Sequence, residues 1–161
     1  MGEASTPKAT IVVPVYNSAS SIQRCLDSLL AQSERSIQVV CVNDGSADDS
    51  LRVLRQIAQT DDRVLVIDQK NAGVSCARNA GIDAAGGEVV FFVDADDYID
   101  AQTVERVLHA MGSSDAEVAV FGGVCEPADA APKRVQQLMS PNAGTFGTRD
   151  PQLLFHANAQ P

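Results

Sequence analysis

Hydrophobic positions follow two alternating spacings along the first three quarters of the chain. Short apolar runs rich in β-branched residues predict strands at 9–15, 37–42, 64–68, 88–94 and 116–123. Apolar residues spaced three or four positions apart predict helices at 22–30, 51–58, 74–85 and 101–111. Because each strand reads as a continuous apolar run followed by a helix, we predict an α/β fold: a Rossmann-like, mostly parallel sheet with helices on both faces.

Polar segments follow three of these strands. They are "PVYN" after the first strand, "NDGS" after the second and "DADD" after the fourth. Each segment alone is well explained as a turn or a helix cap. Ligands of such sheets bind beyond the carboxyl ends of the strands, where the strand order reverses, so the three segments together predict a ligand site at that edge.

The acidic stretch "FFVDADDYID" suggests a divalent cation. Residues two apart in an extended chain lie about 6.5 Å apart on the same side, so Asp94 and Asp96 could not easily both bind one ion unless the chain turns. Mg²⁺ and Mn²⁺ are commonly held by one or two carboxylates, with water and substrate phosphates as the other ligands. Asp96 or Asp97 could alternatively cap the following helix, and the two roles are compatible.

Composition narrows the possible partners. The chain has 161 residues, 45% of them hydrophobic, which suits one globular domain, and its formal charge of −9 disfavours nucleic acid. No apolar stretch approaches the roughly 20 residues that cross a bilayer, and the polar start has no leader-like apolar core, so we expect a cytoplasmic protein. Its widely spaced cysteines predict reduced thiols in or near the core: Cys25, Cys41, Cys76 and Cys125.

The segments "IVVPVYN", "VVCVNDGSADDS" and "NAGVSCARNAGIDAAGGEVVFFVDADDYID" resemble the donor-binding half of the inverting family-two glycosyltransferases, which have the GT-A fold. The resemblance covers about Thr10 to Cys125. It implies a nucleoside diphosphate sugar as donor, with UDP as the usual nucleotide, and Mg²⁺ or Mn²⁺ as cofactor. A dehydrogenase is disfavoured, because no GxGxxG follows the first strand.

The resemblance also implies roles for individual residues. Those matching nucleotide-sugar contacts are Pro14, Tyr16, Asp44, Arg78 and Asp94. Pro14 and Tyr16 would pack against the base, Asp44 would accept a hydrogen bond from it, and Arg78 would help hold the nucleotide. Asp94 would lie near the ribose and the metal, and Asp96 would bind the metal through the diphosphate. Tyr16 could instead be a packed aromatic residue, and Arg78 could pair with Asp83 or with a carboxylate at the edge of the sheet.

The implied reaction transfers a sugar to the hydroxyl of an unknown glycan or lipid-linked acceptor, as in cell-surface polysaccharide synthesis. Peripheral membrane association of a full-length protein is compatible with this role. The family's general base lies well downstream of the acidic motif, and Glu126, Asp129 and Asp150 do not suit that role. We therefore expect a donor-binding domain at 1–125, the start of an acceptor-binding region at 126–161, and an isolated chain that binds donor without transferring it. A nucleotide-sugar-binding module without turnover is the alternative.

Overall fold

The computed structural model describes residues 6–114 and 116–120. Its four strands form one parallel sheet in the order β3-β2-β1-β4: β1 (Ala9–Val15), β2 (Ile37–Asp44), β3 (Val64–Gln69) and β4 (Val89–Phe92). The helices are α1 (Ile22–Leu30), α2 (Ser50–Ala58), α3 (Val74–Asp83) and α4 (Thr103–Gly112). The predicted α/β fold is confirmed. Because β2 and β3 lie on one side of β1 and β4 on the other, the strand order reverses between β1 and β4, where ligands of such sheets bind.

Both faces of the sheet are covered. One face packs in a single core with apolar residues of α1 and α2 and with Val104 of α4, and the other packs against α3 through residues such as Val40, Val42 and Ala77. Successive side chains of a strand point to opposite faces, so a strand covered on both sides needs an apolar residue at nearly every position. All seven residues of β1 are buried, and six of them are apolar; the hydroxyl of the seventh, Thr10, donates to Gln38 Oε1 and accepts the Gly87 N–H.

Helix α3 lies unusually close to β1. A Cβ atom at Gly81 would overlap the side chain of Val12, so only glycine allows this approach. The close packing fixes α3 across β1 and β2 and brings the beginning of the helix to the carboxyl end of β2.

Some predicted boundaries require correction. The fourth strand was predicted over 88–94 but ends at Phe92, because the chain turns after Asp94, where the Asp97 N–H donates to the Asp94 carbonyl. Residues 116–120 of the predicted fifth strand are not a strand, and Val118 and Val120 are exposed, so the apolar pattern there is not buried. Residues 121–123 lie outside the described residues, as does the predicted domain boundary after residue 125.

The described cysteines are free thiols, as predicted. Cys25 and Cys41 are buried in the core, and burial raises the pKa of Cys25 to about 12. Cys76 is exposed on the outer side of α3, which corrects its predicted place in or near the core. Cys125 lies outside the described residues. Within residues 6–114 and 116–120, no helix has the length and apolar character needed to cross a membrane.

Candidate functional site

A cleft opens at the carboxyl ends of β1 and β2, beside the beginning of α3. Its volume is about 310 Å³, and it is lined by Pro14, Val15, Tyr16, Asp44, Asn71, Gly73, Val74 and Ala77. Tyr16 and Val74 are half exposed, whereas the Asp44 carboxylate is buried. The cleft therefore combines apolar and aromatic surface with one buried charge, which is typical of a small-molecule site.

Asp44 is the best-defined polar group of the cleft. Its Oδ1 accepts hydrogen bonds from Gln69 Nε2 (2.7 Å) and the Ala72 N–H (2.9 Å), and its Oδ2 accepts one from the Gly73 N–H (2.8 Å). Burial raises the pKa of Asp44, but these three hydrogen bonds outweigh it and the net pKa is lowered. Asp44 is therefore ionised at neutral pH, and the stability that it contributes is lost only as the pH falls below its ordinary value of 3.8.

The loop at 71–73 reaches Asp44 because of Gly45. Gly45 has a φ of +69°, and a Cβ atom there would lie 2.7 Å from the Asn71 nitrogen. A side chain at this position would push the loop away and separate its N–H groups from the carboxylate. The "NDGS" turn thus both presents Asp44 and makes room for the segment that orients it.

The segment after β1 is tied to the segment after β2. Four hydrogen bonds, each from a backbone N–H to a side-chain oxygen, join them: Asn17 to Ser46 Oγ (3.0 Å), Ser18 to Ser50 Oγ (2.8 Å), Ala19 to Asp48 Oδ2 (2.9 Å) and Ala47 to Asn17 Oδ1 (2.8 Å). We call this set the clamp. It connects the segment that follows Tyr16 to the segment that follows Asp44.

The acidic residues 94–97 form a turn, which we call the acidic turn. Asp94 Oδ1 pairs with an Arg78 guanidinium nitrogen at 2.8 Å, and both side chains are about one third exposed. Asp96 and Asp97 are exposed. The pKa of Asp97 is raised, first by partial desolvation of its carboxyl and then by the negative charges of Asp96 and Asp94. Arg78 thus neutralises one acid of the turn, and the others repel each other.

The alternative role predicted for Asp96 or Asp97, capping the following helix, belongs to Asp100 instead. Asp100 Oδ1 accepts the Gln102 N–H (3.0 Å), and the Asp100 carbonyl accepts the Thr103 N–H (3.0 Å) where α4 begins. Asp96 and Asp97 are not needed for that helix end. Their carboxylates remain available to a ligand.

Helix α1 and Gln32, two residues beyond its end, hold the segment that carries the acidic turn. Gln32 is fully buried; its Nε2 donates to the Asp100 carbonyl (2.8 Å), and its Oε1 accepts the Val104 N–H (3.0 Å). One and two turns earlier, Ser28 Oγ accepts the Ile99 N–H (3.3 Å) and the Cys25 thiol donates to the Asp94 carbonyl (3.6 Å). The sequence pattern did not predict these hydrogen bonds, because the residues that they join are about 70 positions apart.

The acidic turn suits a cation but does not hold one alone. Among the residues that the structure describes, no three His, Cys, Asp or Glu side chains are grouped closely enough to bind an ion. Carboxylate oxygens are ligands that Mg²⁺ and Mn²⁺ prefer, and the mutual repulsion in the turn would be relieved by a cation. The donor set therefore fits an ion whose other ligands come from water and a phosphorylated substrate.

The six residues that the resemblance selects fall into two groups. Pro14, Tyr16 and Asp44 line the cleft together. Arg78 and Asp94 are paired with each other, and Asp96 lies beside them in the acidic turn. The two groups stand at the carboxyl ends of neighbouring strands β2, β1 and β4, the edge that the sequence predicted.

Comparison with known proteins agrees with the resemblance of the sequence motifs. Residues 10–159 match the family described as Glycosyl transferase family 2. The chain is 42% identical over 113 residues, or 70% of its length, to the glycosyltransferase GlyA of Streptococcus pneumoniae serotype 4.

Two solved structures share the fold. TarS 1–349 of S. aureus in complex with UDP-GlcNAc is 29% identical, with a TM-score of 0.66 over 71% of this chain. The mannosyltransferase PcManGT of Pyrobaculum calidifontis, in complex with GDP-Man and Mn²⁺, is 25% identical, with a TM-score of 0.64 over 77% of this chain.

The chain spans 16% of the length of GlyA, 34% of the TarS structure and 37% of the PcManGT structure. The family match at residues 10–159 includes the cleft, the acidic turn and all of the sheet except Ala9. The family match and the shared fold agree with the resemblance of the sequence motifs. This chain belongs to glycosyl transferase family 2.

Proposed function

We propose that this chain binds the sugar donor of a glycosyltransferase, a nucleoside diphosphate sugar in which UDP is the nucleotide. The observation that carries the proposal is the buried, ionised Asp44 in a cleft with an exposed aromatic wall. TarS, a relative of similar fold, has been solved with UDP-GlcNAc and supports the class of donor.

Asp44 would read the base. A carboxylate can accept about four hydrogen bonds, and the described residues use three of them, which leaves one acceptor position on Oδ2. The N–H of a uracil ring is a donor that suits this position. Tyr16 and Pro14 would pack against the ring, with Tyr16 supplying an exposed aromatic face.

The diphosphate would lie toward the acidic turn. Arg78 and Asp94 would hold the nucleotide between the cleft and the turn, and Asp96 would supply a ligand for Mg²⁺ or Mn²⁺. When bound, the cation would neutralise the charge that develops on the departing diphosphate. PcManGT, solved with GDP-Man and Mn²⁺, supports this choice of metal.

The reaction would be an inverting displacement. An acceptor hydroxyl attacks the anomeric carbon from the face opposite the diphosphate, the bond from that carbon to the diphosphate oxygen breaks, and the hydroxyl proton passes to a base. The described residues supply the donor side of this reaction, and we assign no general base among them. We propose a glycan or a lipid-linked glycan as the acceptor.

Titration calorimetry with UDP tests the donor site and its metal together. The acidic turn should repel the diphosphate, so we expect UDP to bind weakly in the presence of a chelator and at least tenfold more tightly with Mn²⁺. Asp96→Asn should remove most of this gain. Asp83→Asn, an exposed carboxylate at the end of α3, is the matched control and should keep it.

Two results would count against parts of the proposal. Equal UDP affinity with chelator and with Mn²⁺ would contradict the metal assignment. Lack of UDP binding under both conditions would contradict the donor site itself.

A further inference from the structure

We propose that Asp48 and Ser50 are positioning residues that hold Tyr16 at the correct place against the nucleotide base. The inference rests on the proposed function, because it assigns the aromatic wall of the same cleft. It concerns two side chains that do not line the cleft and that act through the clamp.

The clamp captures three consecutive backbone N–H groups. Those of Asn17, Ser18 and Ala19 each donate to a different side chain of the segment after β2. Such N–H groups would otherwise need water or a helix partner. The segment that directly follows Tyr16 is therefore fixed along its length.

Asp48 and Ser50 form the centre of the clamp. Asp48 Oδ1 accepts from both the backbone N–H (3.0 Å) and the hydroxyl (2.5 Å) of Ser50, while its Oδ2 accepts from Ala19. Ser50 is fully buried, and its oxygen accepts the Ser18 N–H. Each side chain holds the other in place while binding the opposite segment.

Tyr16 needs such support because its own packing is slight. Its side chain is 54% exposed, so few neighbours restrict it directly. The next residue, Asn17, has a φ of +51°, a left-handed conformation that asparagine adopts more readily than most non-glycine residues, and two hydrogen bonds hold it there. Two hydrogen bonds of the clamp involve Asn17. Its N–H donates to Ser46 Oγ, and its Oδ1 accepts the Ala47 N–H.

The clamp also fixes the two walls of the cleft relative to each other. Asp44 ends β2, and Asp48 lies four residues later, two residues before α2 begins at Ser50. Tyr16 immediately follows β1, which pairs with β2 up to Val15 and Asn43. Beyond this last pair of residues, the clamp rather than strand pairing sets the distance from the Tyr16 ring to the Asp44 carboxylate.

A double-mutant cycle between Asp48→Asn and Tyr16→Ala tests the inference. The measurement is UDP affinity with Mn²⁺ by calorimetry, with pyrophosphate as a ligand that has no base. Loss of stacking on an aromatic side chain corresponds to about 5- to 150-fold in affinity, so Tyr16→Ala should weaken UDP binding within that range. Asp48→Asn should weaken UDP binding about fivefold, leave pyrophosphate binding unchanged, and have no further effect once Tyr16 is alanine.

Asp49→Asn is the matched control. The residue adjoins Asp48, carries the same charge and is exposed, but its carboxylate pairs with Arg52 of its own helix (3.0 Å) rather than with the segment after β1. Its UDP affinity should equal that of the unmodified chain. This control separates the effect of the clamp from that of removing a charge near the site.

The outcomes separate the inference from the proposed function. Unchanged UDP affinity in Asp48→Asn, or a loss that persists in the Tyr16→Ala background, would overturn the inference alone. If circular dichroism shows that Asp48→Asn does not fold, Ser46→Ala replaces it in the double-mutant cycle. This variant removes one hydrogen bond of the clamp, and its UDP affinity is judged by the same criteria. If the unmodified chain does not bind UDP, the proposed function and the inference both fail.

Discussion

Asp44→Asn is expected to lower the affinity for UDP about 10- to 150-fold, because a hydrogen bond to a charged group is worth about 1.5 to 3 kcal/mol. The side-chain amide would also present one acceptor oxygen to three donors that now converge on the carboxylate. The loop at 71–73 should therefore loosen as the base contact weakens. Calorimetry with UDP measures the change.

The loss should be specific to the base. Pyrophosphate and ribose 5-phosphate lack the ring that Asp44 contacts, so their binding should change little. Asp62→Asn is a suitable control, since this exposed residue precedes β3 and lies at the opposite end of the parallel sheet. Equal losses for UDP and pyrophosphate would show that Asp44 acts on something other than the base.

Gln32→Leu is expected to lower the free energy of unfolding by about 1 to 3 kcal/mol, since it leaves the buried Val104 N–H unpaired and removes one of the two hydrogen bonds that the Asp100 carbonyl accepts. The Asp100 carbonyl would keep its hydrogen bond from the Thr103 N–H, whereas the Val104 N–H would lose the side-chain oxygen that it now binds. Domains of this kind are stable by only about 5 to 15 kcal/mol, so the change is a large share of the total. Urea unfolding followed by circular dichroism measures it.

Gln23→Leu provides the comparison, on α1, the helix that precedes Gln32. Gln23 is exposed, and within the described part of the chain its amide donates to Asp27 on α1 (2.9 Å), so its replacement should change stability by less than about 0.5 kcal/mol. Similar losses in the two variants would show that the contact between Gln32 and the 100–104 segment contributes little.

Strands and helices that are buried continuously could be predicted from the sequence. The apolar runs at 9–15 and 37–42 became β1 and β2 with almost the same bounds, because a strand covered on both faces has little tolerance for polar residues. The fourth strand was predicted too long. Its apolar run continues through Val93, which stays buried, but the pairing pattern of β4 ends at Phe92.

The candidate site could be predicted only in part. The carboxyl ends of parallel strands share one edge, and this rule was sufficient to bring Tyr16 and Asp44 together. The clamp and the buried amide of Gln32 depend on which side chain meets which backbone group across about 30 or 70 residues, and hydrophobic spacing carries no information about such pairs. From the sequence alone, the polar residues in these loops could be interpreted only as turn formers.

The pairing of Arg78 with Asp94 is another contact that the sequence alone could not predict. The sequence offered several partners for Arg78, including Asp83 on its own helix and the acids at the edge of the sheet. The structure selects Asp94 at 2.8 Å. Asp94 follows β4 and Arg78 lies on α3, so the choice depends on how the helix packs on the sheet rather than on local spacing.

Backbone amide NMR of the ¹⁵N-labelled chain, titrated with UDP and Mg²⁺, tests most directly the claim that this edge of the sheet binds a nucleotide. We expect the largest shifts at Tyr16, Asp44, Ala72 and Gly73, with a second group in the acidic turn. Residues that precede the strands, such as Lys8 and Arg63, should shift little. Absence of shifts at saturating UDP, or shifts concentrated at the opposite end of the sheet, would contradict the account.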